Sequence, residues 1–189
     1  MMLRNTQEYY GAVALTLHWT IVALVAVQVV LGMSGADLPV GMERLITLSR
    51  HKSLGMSLLA LMTVRLAWRL VNPVPALPAQ LPRVEQRLAR CAHGLLYALL
   101  LAMPVAGWIS SSASNLTVSW FGWFSFPDLV DTDRLLALSA KAWHRGMAWV
   151  LIATVSLHAL AALRHHFVLK DSVLQRMVPW GRKTPGDNS

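Results

Sequence analysis

The stretch LTLHWTIVALVAVQVVLG, residues 15–32, is almost wholly apolar and carries His18 near its beginning. Its length falls in the range of roughly 17 to 25 residues that an α-helix needs to cross a lipid bilayer. An ionisable side chain within such a span is costly, so a functional role is the default expectation for it. The stretch therefore predicts a membrane helix that bears a functional histidine.

Four apolar stretches of this kind divide the chain. The sequence is 55% hydrophobic and only 14% charged, against about 25% charged residues in soluble proteins. The predicted spans are residues 13–33, 53–71, 91–110 and about 142–163. Segments rich in Gly, Pro, Ser and Asp separate them and are predicted to be loops, at residues 34–41, 72–82 and 111–133. We expect a single all-α domain, residues 1–189, built as a bundle of four transmembrane helices.

The distribution of Lys and Arg predicts the orientation of this bundle. An even number of spans places both termini on one side, and that side holds eleven of the 17 basic residues, against six on the other. Because cytoplasmic loops carry the excess of Lys and Arg, we expect both termini in the cytoplasm. The formal net charge of +8 reflects this asymmetry and predicts no nucleic-acid binding. The N-terminal segment shows no convincing cleavage pattern, so we do not expect a signal peptide.

Four histidines pair by depth on these antiparallel spans. His51 and His144 both fall near the outer side, and His18 and His158 both fall near the inner side. His144 and His158 are 14 residues apart, which is about 21 Å along a helix axis and about 40° around it. They therefore share one face of the fourth span. We expect two metal sites, one at each depth, between facing helices.

The identity of the metal follows from the number of ligands. Zinc binds imidazole, but it usually takes four protein ligands or three and a water, and each predicted site offers two. Haem iron needs only two axial ligands from the protein. The single cysteine stands in CAH, residues 91–93, which is not the C-x-x-C-H of covalent attachment, so each haem would be held non-covalently. The alternative for any one of these histidines is a hydrogen bond to a neighbouring helix.

Two further histidines and two arginines lie near the predicted inner site. His93 has no assigned ligand position there, and His165 stands where the fourth span meets water, so either residue is a candidate hydrogen-bond donor to a quinone. Solvation at the membrane surface is the alternative for His165. Arg65 and Arg69 are four residues apart on one helical face. They suit haem propionates or a quinone head group, and anchoring of the span end explains them equally well.

The ordered motifs of the chain resemble the bacterial cytochrome b561 family along nearly its whole length. The matching segments are LHW (17–19), RHKSLG (50–55), VRLAWR (64–69), HGLLYALL (93–100), WHRGMAW (143–149) and LHALAALRHHFVLKDSVLQRM (157–177). This resemblance implies a four-helix bundle in the bacterial inner membrane with two b-type haems. It carries the axial ligand positions onto His18, His51, His144 and His158, and the quinone-side positions onto His93 and His165.

The resemblance implies an oxidoreductase that carries electrons between an outer donor and ubiquinone on the cytoplasmic side. One branch of the family is superoxide oxidase, although VSWFGWFSFPDL (118–129) and the N-terminal segment look more like another branch. The six outer basic residues would steer an anion such as superoxide, but five outer carboxylates offset them. The alternative is a haem-bearing anchor subunit that links a periplasmic redox or lipid-binding partner to the quinone pool, with residues 111–141 as its docking segment.

Overall fold

Four long helices make up the computed structural model, which describes residues 2–7, 9–76 and 81–178. They are α1 (Ala12–Asp37), α2 (Met42–Val71), α3 (Arg83–Ala113) and α4 (Arg134–Arg164). All four are long and apolar enough to cross a membrane. A two-stranded antiparallel hairpin, β1 (Ser119–Trp120) and β2 (Phe124–Ser125), lies between α3 and α4. A π-helical turn, His165–Leu169, and a 3-10 turn, Gln175–Met177, follow α4.

The helices are longer than the predicted spans, chiefly at the starts of α2, α3 and α4. α3 has 31 residues, or about 46 Å of helix, whereas the hydrocarbon layer is about 30 Å thick. The extra turns at these starts carry charged residues, among them Arg44, Arg83 and Arg134, so a search for uncharged apolar runs misses them. Two loop predictions were consequently too long, since residues 34–37 and 111–113 are helical. The expected docking segment, residues 111–141, was also too long as a loop, since residues 134–141 belong to α4.

Packing in the bundle is uneven. Close backbone packing joins α1 to α2, α2 to α3 and α3 to α4, whereas α4 approaches α1 and α2 much less closely. A layer of buried apolar side chains fills the middle of the bundle: Ile21, Val25, Leu58, Met62, Leu99, Leu100 and Leu151. Helix α4 is thus held mainly by α3, and it meets α1 and α2 through side chains of this layer, such as Leu151.

One end of the bundle gathers the segments near both termini, and we call it the termini end. The Asn5 amide donates to the Pro73 carbonyl (2.9 Å) and accepts from the Gly11 N–H (2.8 Å). The Trp19 indole donates to the carbonyl of Met177 (2.7 Å). These bonds bring the N-terminal segment and the residues after α4 together over the ends of α1 and α2.

The opposite end carries the hairpin, and we call it the hairpin end. The Ser53 hydroxyl of α2 lies 2.9 Å from the Ser119 carbonyl and accepts from the Phe121 N–H. The Trp120 indole donates to the Ser57 hydroxyl (2.9 Å). Asp133 begins α4 by accepting from the N–H groups of its first turn. The hairpin is therefore fastened to the side of α2.

Replacement of Ser53 by Ala should loosen the hairpin. Ser53 is 1% exposed, and its loss leaves the Phe121 N–H without its acceptor. Leaving such a group unsatisfied costs about 1–3 kcal/mol, so hydrogen exchange in residues 119–125 should speed up by roughly tenfold or more, as measured by mass spectrometry. Thr63→Ala on the same helix removes a hydroxyl that bonds only within α2, and it should leave the hairpin unchanged. Equal exchange in the two variants would contradict this account.

Candidate functional site: two histidine clusters

At the hairpin end, the structure brings together His51 of α2 and His144 of α4. Their ring centroids are 6.0 Å apart, and the ring planes are inclined by 79°. Both side chains are partly buried. Two metal–imidazole bonds of about 2 Å each, plus the distance from each nitrogen to its ring centre, amount to about 6 Å. The separation of the two rings therefore suits one metal ion bound between them.

The tautomer of His144 is set by a backbone contact. Its Nδ1 lies 2.8 Å from the carbonyl oxygen of Met103 on α3. A carbonyl only accepts, so Nδ1 carries the proton and Nε2 keeps its lone pair. A hydrogen bond from the second ring nitrogen is the usual support of a metal-bound histidine. The Nδ1 of His51 is buried and lacks a hydrogen-bond partner among the described residues.

At the termini end, three histidines gather. The rings of His158 on α4 and His93 on α3 are 5.2 Å apart and nearly perpendicular. His18 of α1 lies within electrostatic range of both, and its ring also contacts that of Trp19 at 5.3 Å. The depth argument placed His18 opposite His158 and left His93 without a partner. The structure instead puts the ring of His93 directly against His158.

Arginines from α2 reach into this second cluster. The Arg65 Nε donates to the hydroxyl of Tyr97 (3.1 Å), and the guanidinium groups of Arg65 and Arg69 lie 6.0 and 5.6 Å from the Tyr97 ring centre. Arg65 is also within electrostatic range of His18 and His158. One of its terminal nitrogens is buried and unpaired among the described residues. Arg65 therefore faces the histidines and offers a donor to an anionic or carbonyl oxygen.

His165 is paired with a carboxylate beyond the end of α4. Its Nδ1 lies 2.5 Å from Oδ2 of Asp171, and the two side chains are 14% and 23% exposed. The π-helical turn and the left-handed Lys170 (φ 52°) reverse the chain and bring Asp171 back to it. Such π-helical turns are frequent at functional sites. His165 is thus an oriented and largely buried imidazole, whereas solvation at the membrane surface was the alternative for it.

These features fit a flat macrocycle bound at each cluster. The predicted ligand pairs join α4 to α2 and α4 to α1, two of the three helix pairs that do not pack closely. The buried apolar layer separates the two depths. Across the described ranges, no three side chains of the His, Cys, Asp and Glu types converge as a multi-ligand metal site would require. The clusters thus provide imidazoles at two depths and, at the termini end, a guanidinium donor, which are groups that could hold haem b and its propionates.

Sequence analysis did not identify three residues that contact the histidines or arginines of these clusters: Met103, Tyr97 and Asp171. Met103 acts through its backbone carbonyl, which has no signature in the side-chain sequence. Tyr97 stands four residues after His93 and therefore on the same face of α3, so helical spacing was a usable signal for it. Asp171 stands six residues after His165, a separation that no regular helix brings into contact.

The chain is similar to known proteins over most of its length. The family model described as "Prokaryotic cytochrome b561" matches residues 9–180. The chain is 32% identical to "Cytochrome b561 homolog 2" of Escherichia coli strain K12, with 94% of this chain and 95% of that protein aligned. It is 30% identical to "Probable superoxide oxidase CybB" of Yersinia pestis, with coverage of 90% and 96%. It is 28% identical to "Cytochrome b562" of Cereibacter sphaeroides, with coverage of 92% and 98%.

Proposed function

The chain belongs to the prokaryotic cytochrome b561 family, and from this premise we propose that it carries electrons between a periplasmic donor and ubiquinone on the cytoplasmic side. Membership makes it a haem-binding electron-transport protein of the inner membrane with four spanning helices. The number of haems, their ligands and the quinone site belong to the proposal. The observation that supports it best is the pair His51–His144, 6.0 Å apart on helices that do not pack closely.

Two haems b would be held by this chain, one at each end of the bundle. When bound, haem b supplies one-electron redox chemistry, and bis-imidazole ligation leaves no open iron position for oxygen. His51 and His144 would hold the hairpin-end haem. His18 and His158 would hold the termini-end haem, with His93 packed beside His158 and the Arg65 guanidinium available to a propionate. The apolar layer between the two clusters would exclude water from the region through which electrons pass between the haems.

Ubiquinone would bind at the termini end, beside the second cluster. Reduction of a quinone to a quinol takes two electrons and two protons, so its site needs both a nearby haem and groups that transfer protons. Imidazoles transfer protons near neutral pH, and the termini end supplies His93 and His165. Arg69 adds a positive charge that favours electron density on a quinone oxygen. The predicted orientation places this end in the cytoplasm, where protons are taken up.

Asp171 would act as a positioning residue for this proton transfer. Its carboxylate would accept a hydrogen bond from the Nδ1–H of His165. This bond would hold the ring in one orientation and leave Nε2 to exchange a proton with the quinone oxygen. The N–H bond breaks as the quinol O–H bond forms, and His165 then recovers a proton from water.

A second candidate function, that of an anchor subunit, is favoured by the hairpin. The hairpin is fastened to α2 and exposes Phe121, Trp123 and Phe124, with Trp123 84% exposed. Such an aromatic surface suits a docking partner at the periplasmic side. Ubiquinone reduction by the purified protein with a superoxide-generating system distinguishes the two functions. Turnover that superoxide dismutase abolishes supports an independent enzyme, and an inactive protein with both haems reducible supports the anchor.

Replacement of single histidines should remove single haems. His51→Ala and His144→Ala should each lose the hairpin-end haem, and His18→Ala and His158→Ala the termini-end haem, as measured by pyridine haemochrome content and reduced spectra of the purified variants. Because His93 touches His158 in the structure, His93→Ala is the control, and it should keep both haems. A His93 variant that lost a haem while the His18 variant kept both would reassign the axial ligand. Loss of the same haem in His18→Ala and His51→Ala would contradict the pairing by depth.

Quinone turnover should depend on the second cluster without loss of haem. We expect His93→Ala and Arg69→Ala to lower quinol oxidation or quinone reduction by about tenfold or more, because each removes a donor or a charge beside the quinone. Arg164→Ala is a matched control at the same end, since Arg164 is half exposed and pairs only weakly with Glu85 at 3.5 Å. Normal kinetics in both test variants, with both haems present, would exclude the termini-end quinone site.

Conservative replacement of Asp171 should separate the role of the His165–Asp171 pair in proton transfer from an effect on folding. Asp171→Asn keeps the size of the side chain and removes its charge, so we expect kcat for quinone reduction to fall about 10- to 100-fold with both haem spectra unchanged. Asp171→Glu should recover part of that loss, because it restores the carboxylate. Full kcat in the Asp171→Asn variant, or a loss that appears only in KM, would contradict the positioning role.

A further inference from the structure

Gly107 of α3 lies against the ring of His144. A Cβ added at Gly107 would stand 3.2 Å from both Cε1 and Nδ1 of His144, which is shorter than the roughly 3.5–4.0 Å optimum between non-bonded carbons. Met103, whose carbonyl accepts from His144, precedes Gly107 by four residues. In an α-helix the carbonyl of residue i bonds the N–H of residue i+4. The ring thus approaches the helix where a glycine leaves one carbonyl accessible.

Gly32 of α1 repeats this arrangement for His51. A Cβ at Gly32 would stand 3.1 Å from Cε1 and 3.4 Å from Nδ1 of His51. His51 faces the backbone of Gln28, four residues before Gly32. The side-chain amide of Gln28 also donates to the carbonyl of His51 (3.1 Å). Both imidazoles of the hairpin-end pair therefore rest on a neighbouring helix at a glycine, one full turn after a carbonyl that faces the ring.

We propose that Gly32 and Gly107 are positioning residues for the hairpin-end haem, acting by exposing the carbonyls of Gln28 and Met103 to the Nδ1 atoms of its axial histidines. This inference rests on the proposed ligand role of His51 and His144. A helical carbonyl has a second lone pair beyond the one used in the helix. With any other residue at position i+4, the Cβ lies in the path of a ring that approaches that lone pair. Glycine removes the obstacle.

A methyl group at either glycine should disturb the histidine ring more when the ring is a haem ligand than when it is free. A free imidazole can shift by a few tenths of an ångström when a methyl group appears beside it. An imidazole fixed by iron at Nε2 and by a carbonyl at Nδ1 cannot shift without straining one of these bonds. His51 Nδ1 is buried and unpaired among the described residues, and the Gln28 backbone beside it offers a carbonyl acceptor. The second hydrogen bond raises the basicity of the ligand and orients its ring.

The experiment compares Gly→Ala variants at the two contact sites with Gly→Ala variants elsewhere in the bundle. Gly94 of α3 and Gly146 of α4 are matched controls, because a Cβ at either would meet no atom of the described residues within 4 Å. We expect Gly107→Ala and Gly32→Ala to speed loss of the hairpin-end haem to apomyoglobin by about tenfold, the lower range for outer-shell changes at metal sites. The midpoint potential of that haem should shift as well. Gly107→Val should abolish binding of the hairpin-end haem. Retention of the termini-end haem in the same sample shows that the bundle is folded.

The outcomes separate this inference from the ligand assignment. Suppose that His144→Ala lacks the hairpin-end haem, while Gly107→Ala and Gly32→Ala show an unchanged rate of haem loss and an unchanged midpoint potential. This result overturns the role of the glycines and leaves the ligand assignment intact. Retention of both haems by His144→Ala overturns the ligand assignment and this inference with it. Equal effects in the contact variants and in Gly94→Ala and Gly146→Ala also overturn it, because the cause would then be general to the helices.

Discussion

Burial of imidazoles in an apolar bundle is the constraint on which the rest of the structure depends. A polar ring within a membrane span must find a partner, since hydrocarbon offers none. At the hairpin end, the partners of His144 are a carbonyl of the neighbouring helix and the facing ring of His51. Helix α4 also approaches α1 and α2 less closely than it approaches α3. Under the proposed function, closer packing there would leave no room for the haems.

The two ends of the bundle solve this problem with different chemistry. At the hairpin-end pair, each ring lies against one glycine, and the His144 ring bonds a backbone carbonyl. The termini-end cluster instead mixes imidazoles with Arg65, Arg69 and the hydroxyl of Tyr97. The first arrangement suits a haem that only exchanges electrons. The second suits a place where electrons and protons meet on an organic substrate, which is why the proposed quinone site lies there.

Hydrophobic length and histidine depth predicted much of this architecture from the sequence. The family, the all-α bundle and the four spans are confirmed, because an apolar run of about 20 residues has few alternatives in a membrane. Depth also placed His51 next to His144. It did not place His93 against His158, because depth fixes the height of a residue and not which face of its helix meets a neighbour. The contact of Asp171 with His165 depends on a π-helical turn and a left-handed Lys170, and neither has a reliable local signature.

The central claim is that one polypeptide holds two haems b between paired imidazoles. The most direct measurement is the pyridine haemochrome content of the purified membrane protein, set against its polypeptide concentration from quantitative amino-acid analysis. The account predicts two haems b for each chain, removable without cleavage of a covalent bond. A fully folded, haem-saturated preparation that contained one haem for each chain would contradict it.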